Sequence, residues 1–161
     1  MIGLTLNWMA IQIKKYKIQG KTLDIGSLNV NGSPKNLFDN YLGIDVTRGP
    51  GVDRVIDAYK LKSVFKKNSF DVVLCLSVLE HMSNVGAILE GVRYVLKDGG
   101  YFFISVPSIN FPHHDYPHDY WRFTGQAVKE FVMKDFTILS LEEKITPTNK
   151  FHIIDCLGIK K

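Results

Sequence analysis

The sequence predicts a three-layer α/β domain, a parallel sheet with helices on both faces. Three observations carry that prediction. Strand-like and helix-like segments alternate from Lys21 onward. The segment Phe70 to Ser77, "FDVVLCLS", is a continuous apolar run, as expected of a strand covered on both faces. Three segments end in an aspartate, at the edge where such sheets present ligand-binding loops.

The elements follow in order. In residues 1–20, Ile2, Leu6, Met9 and Ile13 fall at helical spacing and predict an amphipathic helix packed on the domain. The charges follow its apolar part and no cleavage site is present, so it does not read as a signal peptide. Thr22 to Ile25 is a short strand. Ser33-Pro34 then opens a brief helix, with serine as N-cap and proline in the first turn. "NYLGIDV" is a second strand ending at Asp45, and "VDRVIDA" a third ending at Asp57. After the fourth strand, Val85, Ile88, Leu89, Val92, Val95 and Leu96 keep a helical rhythm that Ser83 can cap and "KDGG" stops. "YFFISVP" is a fifth strand, and Thr124 caps a helix through Lys134. "FTILSLEE" and "FHIIDCLGI" are two closing strands joined by a turn around Pro147.

At 161 residues, with 45% hydrophobic and 22% charged residues, the chain reads as one soluble domain, 1–161. The net charge of +4 is spread over scattered lysines rather than a dense stripe, which argues against a dedicated nucleic-acid surface. Cys75 and Cys156 sit in apolar runs without metal-ligand spacing and read as buried thiols of a reducing cytoplasm. No apolar run approaches the roughly 18 residues of a membrane span.

Ligand chemistry is expected at the strand ends: Asp24 to Ser27, Asp45, Asp57-Ala58, Ser77 to His81, and Ser105 onward. Three converging aspartates suit a ligand rich in hydroxyl and amino donors and would repel a polyphosphate. Gly26 lets backbone approach a ligand closely. Asp45 follows Gly26 by 19 residues, about where a ribose-binding acid belongs, although an aspartate there also closes turns.

"TLDIGSLNVNGS", "YLGIDVTRGPGVDRVIDA", "FDVVLCLSVLEHMSN" and "VLKDGGYFFISVP" fall in the order and spacing of class I S-adenosylmethionine-dependent methyltransferases, which the chain resembles from about Lys21 to Phe131. It is most similar to the small members carrying an "LEH" segment after the fourth strand. The resemblance implies a Rossmann-like methyltransferase fold with a mostly parallel seven-stranded sheet, and S-adenosylmethionine as cofactor. It implies that Asp24 and the Gly26-Ser27 backbone hold the methionine end of the cofactor. Asp45 would accept the ribose hydroxyls, and Asp57 with Ala58 would read the adenine. Ser77 would pass beside the methionine moiety, and Glu80-His81 would turn the chain into the next helix as structural residues. One departure stands out. The family loop reads acid-x-Gly-x-Gly-x-Gly, whereas Leu28 and Val30 hold the second and third glycine positions here.

The acceptor-side loop is expected over 108–124, "SINFPHHDYPHDYWRFT". His114 and His118 are the candidate bases, histidine being the residue type suited to accepting a proton under physiological conditions. Tyr116, Trp121 and Arg122 are the candidate acceptor contacts, with Asp119 and Arg122 spaced to pair. A metal is not expected: His113 and His114 are adjacent and point apart, and Pro117 interrupts any helix joining His114 to His118. A P-loop is excluded because Lys15 stands where its first glycine belongs, and a nicotinamide site lacks its glycine fingerprint. The expected activity is methyl transfer to an unidentified small-molecule acceptor. The alternatives are a non-catalytic binding module on the same fold and a nucleic-acid methyltransferase.

Overall fold

The computed structural model describes residues 2–114, 117–145 and 151–161. Tyr116, expected to contact the acceptor, and the turn expected around Pro147 lie outside the described residues.

Seven strands form one sheet: β1 Lys21–Ile25, β2 Asn40–Asp45, β3 Arg54–Val55, β4 Phe70–Leu76, β5 Leu96–Pro107, β6 Phe136–Ile145 and β7 His152–Lys160. Their spatial order is β3-β2-β1-β4-β5-β7-β6. The first five run parallel, and β7 is antiparallel to both β5 and β6. The chain leaves β1 toward one edge and then restarts at β4 on the other side, so the switch in strand order lies between β1 and β4.

Alternation along the strands builds two cores. Val73 and Cys75 of β4, Phe102 and Ile104 of β5, and Leu23 and Ile25 of β1 face one side. There they pack on α2 Leu61–Val64, α3 Val85–Val95, and the helical turn Val128–Val132. Val72, Leu74, Leu76 and Phe103 face the other side, against Trp8 and Met9 of α1 Ile2–Tyr16. The three-layer architecture is as expected, but the face of α1 differs from the expected stripe. Thr5 and Gln12 are buried beside Trp8 and Met9, while Leu6 and Ile13 are only partly covered. The reason is polar: Thr5 Oγ1 donates to Asp155 in the middle of β7, at 3.1 Å, and Lys144 Nζ donates to the other oxygen of that carboxylate at 2.7 Å.

Three local expectations are corrected. Between β1 and β2 there is a single 3-10 turn, Lys35–Leu37, preceded by Pro34. The third strand keeps only Arg54 and Val55, because Asp57 already accepts from the Tyr59 N–H and starts a 3-10 turn. The helix after β4 is capped by Asn84, whose side chain accepts from the Ala87 N–H, and not by Ser83.

Candidate active site

Register brings the expected strand ends into one row. Ile25 pairs with Ile44 on one side and Cys75 on the other, so Gly26, Asp45 and the Leu76-Ser77 step emerge together at the carboxyl edge. Gly26, Asp45, Ala58, Ile56, Val78 and Met82 line one open cleft there of about 50 Å³. Gly26 has φ +76, and a Cβ there would overlap the side chain of Val78, so both its conformation and its surroundings demand glycine. Ser77 also has positive φ, +55, and is exposed at the tip of β4 with its N–H donated to the Ser105 carbonyl. A serine held in the left-handed region at a strand end is strain placed at the site.

Asp45 is oriented from two sides. The Thr47 N–H donates to its Oδ1 at 2.8 Å and the Leu28 N–H to its Oδ2 at 3.3 Å. Asp24 is not brought to this cleft. It alternates with Leu23 and Ile25, so its carboxyl group projects to the opposite face, buried and accepting from the Tyr41 hydroxyl. Burial pushes its pKa up to about 7; the Tyr41 bond opposes the rise and the nearby Asp45 charge adds to it. Asp57 is occupied as the cap on the Tyr59 N–H, while Ala58 lines the cleft.

The loop after β1 takes a route that its missing glycines dictate. The N–H groups of Gly26 and Ser27 both donate to the Ile44 carbonyl, that of Leu28 to Asp45, and that of Asn29 to the Pro50 carbonyl. The Leu28 side chain fills the space where a Cβ on Gly49 would sit. The loop is therefore laid across the turn after β2, with four consecutive donors already bonded.

On the acceptor side, Arg122 organises the segment after β5. Its Nη1 and Nη2 donate to both oxygens of Asp119, at 2.5 and 2.6 Å, and the remaining donors reach the carbonyls of Phe111, Pro112 and Trp121. All five guanidinium N–H groups are thereby used, so Arg122 positions the loop and has none left for an acceptor. Its hydrogen bonds hold the Asp119 carboxyl well below the usual carboxylate range. The Trp121 indole N–H donates to the Met82 carbonyl, and its ring lines a second, largely apolar cavity of about 420 Å³ with Val85, Phe123 and Phe131.

The two candidate histidines separate. His118 is exposed, with its ring beside Tyr120, and only its carbonyl reaches inward, to His81 Nδ1. His114 enters a cluster instead: its ring stacks edge-on to His81 at 5.0 Å, and the Nε2 atoms of both lie 4.0 Å from Glu80 Oε1. Glu80 is 1% exposed, and burial pushes its pKa up to about 8, helped by the Asp119 charge and opposed by its own N–H and Arg122. Sequence reasoning left Glu80 and His81 as structural; the "LEH" run was the signal available.

The comparisons with known proteins agree with this fold. A family model described as a methyltransferase domain matches residues 23–104, half of the chain. An uncharacterized protein of Methanocaldococcus jannaschii is 43% identical over 86 residues, which are 53% of this chain and 31% of that protein's length. The structure resembles the 1,6-didemethyltoxoflavin-N1-methyltransferase of Burkholderia thailandensis, solved with 1,6-didemethyltoxoflavin and S-adenosylhomocysteine. The TM-score is 0.78 and the identity 18%, covering 94% of this chain and 76% of that one. It also resembles a SAM-dependent methyltransferase of Archaeoglobus fulgidus, with TM-score 0.70 and 16% identity, over 96% of this chain and 94% of that one.

Proposed function

The chain belongs to the methyltransferase-domain family, and from that premise we propose that it transfers a methyl group from S-adenosylmethionine to a small-molecule acceptor. The observation that carries this reading is the placement of Gly26, Asp45 and Ala58 in one cleft at the switch in strand order. The residues fit the nucleoside half of the cofactor. Asp45 offers a carboxylate already aimed by two backbone N–H groups, suited to the ribose hydroxyls. Ala58 and Ile56 offer an apolar wall for the adenine. The methionine half would be held differently from the family pattern, because the N–H groups from Gly26 to Asn29 are already bonded. Ser77, exposed at the tip of β4, is the polar side chain that emerges at that edge, whereas the Ser27 side chain is buried against Gly43, and Asp24 and Asp57 act as positioning residues behind the cleft.

When bound, the cofactor supplies a methyl group on a sulfonium, already activated toward a nucleophile. The work left to this chain is orientation and exclusion of water. Met82 lines the cofactor cleft and the next residue, Ser83, lines the apolar cavity beside Trp121 and Phe131, which suits the body of the acceptor. His114, with Asp119 behind its Nδ1 at 3.3 Å, is the group placed to take a proton from an acceptor that carries one.

A second reading, a binding module without turnover, is favoured by the tied loop alone. Calorimetric titration with S-adenosylmethionine, S-adenosylhomocysteine and NAD in parallel tests the main reading. Micromolar binding of the first two and none of NAD is expected; no binding of the first two would leave the module reading in its place.

A further inference from the structure

Beside the cofactor cleft, three lone-pair-bearing atoms converge, two imidazole nitrogens and a buried carboxyl oxygen. His81 Nδ1 lies 2.5 Å from the His118 carbonyl and must carry its proton there, which leaves Nε2 bare in the neutral ring. His114 Nδ1 faces the shielded Asp119 carboxylate at 3.3 Å, without hydrogen-bond alignment, and the same tautomer is favoured. Both Nε2 atoms then turn toward Glu80 Oε1, each at 4.0 Å. The other Glu80 oxygen is buried without any hydrogen-bond partner. A cation among these atoms would satisfy the buried carboxyl group and both ring nitrogens together.

We propose that Glu80, His81 and His114 bind one divalent transition-metal ion of the zinc class. The ligand atoms all lie within 4.8 Å of one another, so an ion in their midst stands about 2.5 Å from each, a few tenths of an ångström beyond the bond lengths of about 2.0–2.2 Å for zinc. Small side-chain rotations close that gap. Two imidazoles and one carboxylate favour zinc, cobalt or iron over the all-oxygen preference of magnesium and calcium. The outer partners match as well: metal-bound histidines hand their second nitrogen to a carbonyl or a carboxylate, here His118 and Asp119, and Arg122 fixes the carboxylate. Three protein ligands leave positions open for a substrate oxygen.

The consequence for the acceptor rests on the methyl-transfer reading. Glu80 lies two residues past Val78, which packs over Gly26 in the cofactor cleft. A hydroxyl-bearing acceptor held there by its oxygen becomes more acidic. With the ion bound, His114 serves as a ligand in place of the proton-accepting role it has without one. The O–H bond breaks with its proton leaving to water, the oxygen bonds the methyl carbon, and the carbon–sulfur bond breaks with its electron pair returning to sulfur. An oxygen acceptor is thereby favoured over an amine.

The test titrates chelator-treated protein with Zn²⁺ by calorimetry and with Co²⁺ by visible absorption, which reports the ligand field. One bound equivalent is expected. Glu80→Gln and His114→Ala should each weaken binding by more than about 100-fold, and Asp119→Asn by about 10-fold. Far-UV circular dichroism checks folding of each variant; His114, partly exposed on a loop, can be removed even if Glu80→Gln fails to fold. No binding by the wild type, or binding that survives loss of His114, overturns the site. Retained S-adenosylmethionine binding in that case removes the metal alone, whereas metal binding without S-adenosylmethionine binding removes only the consequence for the acceptor.

Discussion

Asp45 does two things at once: it receives the Leu28 and Thr47 N–H groups and it presents a carboxylate to the cleft. Asp45→Ala should therefore weaken S-adenosylmethionine by roughly 10- to 100-fold, the worth of a charge-assisted contact, and calorimetry reads that directly. Asp24 makes a different prediction. Its native pKa of about 7 stands above the unfolded value of about 3.9, so the folded chain holds a proton there that the unfolded chain gives up. Its contribution to stability is complete below about pH 4 and is lost as pH rises toward about 7. Asp24→Asn should flatten that decline, so urea unfolding midpoints at pH 5 and pH 8 should differ less in the variant than in the parent. Gly26 and Asp45 were legible in the sequence because a strand end, a glycine and a spaced acid are local signals. The part Glu80 plays was not, because it depends on His114, 34 residues along the chain, being pinned beside it by Asp119 and Arg122.

Among the elements, the strands were the most legible part, since β4 and β5 are apolar on both faces and can sit only at the centre of a covered sheet. The short connections were not. Asp57 ends β3 early by choosing a side-chain cap over the ladder, and a serine and an asparagine one residue apart compete for the start of α3, a contest decided by geometry invisible in composition. The end of α3 carries an element-scale prediction. Lys160 Nζ, from β7, donates to the carbonyls of Arg93 at 2.8 Å and Leu96 at 2.7 Å and also meets Asp98, a cation set on the negative end of the helix. Lys160→Met should cost about 2 kcal/mol, measured as a shift in the urea midpoint at constant slope.

At the scale of the whole molecule, one helix, α1, with the short 3-10 turn covers one face of the sheet, and the cofactor edge lies across the layers it joins. Ligand binding at that edge should stabilise the entire cooperative unit: S-adenosylhomocysteine at about 100 times its Kd adds about 2.7 kcal/mol and should raise Tm by roughly 5–10 °C. Differential scanning calorimetry with and without the ligand checks it; an unmoved transition would speak against the site. The tied loop after β1 has one more consequence, and it concerns exchange with solvent. In a site whose loop is ordered by its ligand, amide hydrogens gain protection only when the ligand arrives. Here the amides of Gly26, Ser27, Leu28 and Asn29 already have acceptors in Ile44, Asp45 and Pro50. Their deuterium uptake should be slow in the free protein and change little on saturation, so the cofactor meets a loop whose ordering entropy was spent during folding.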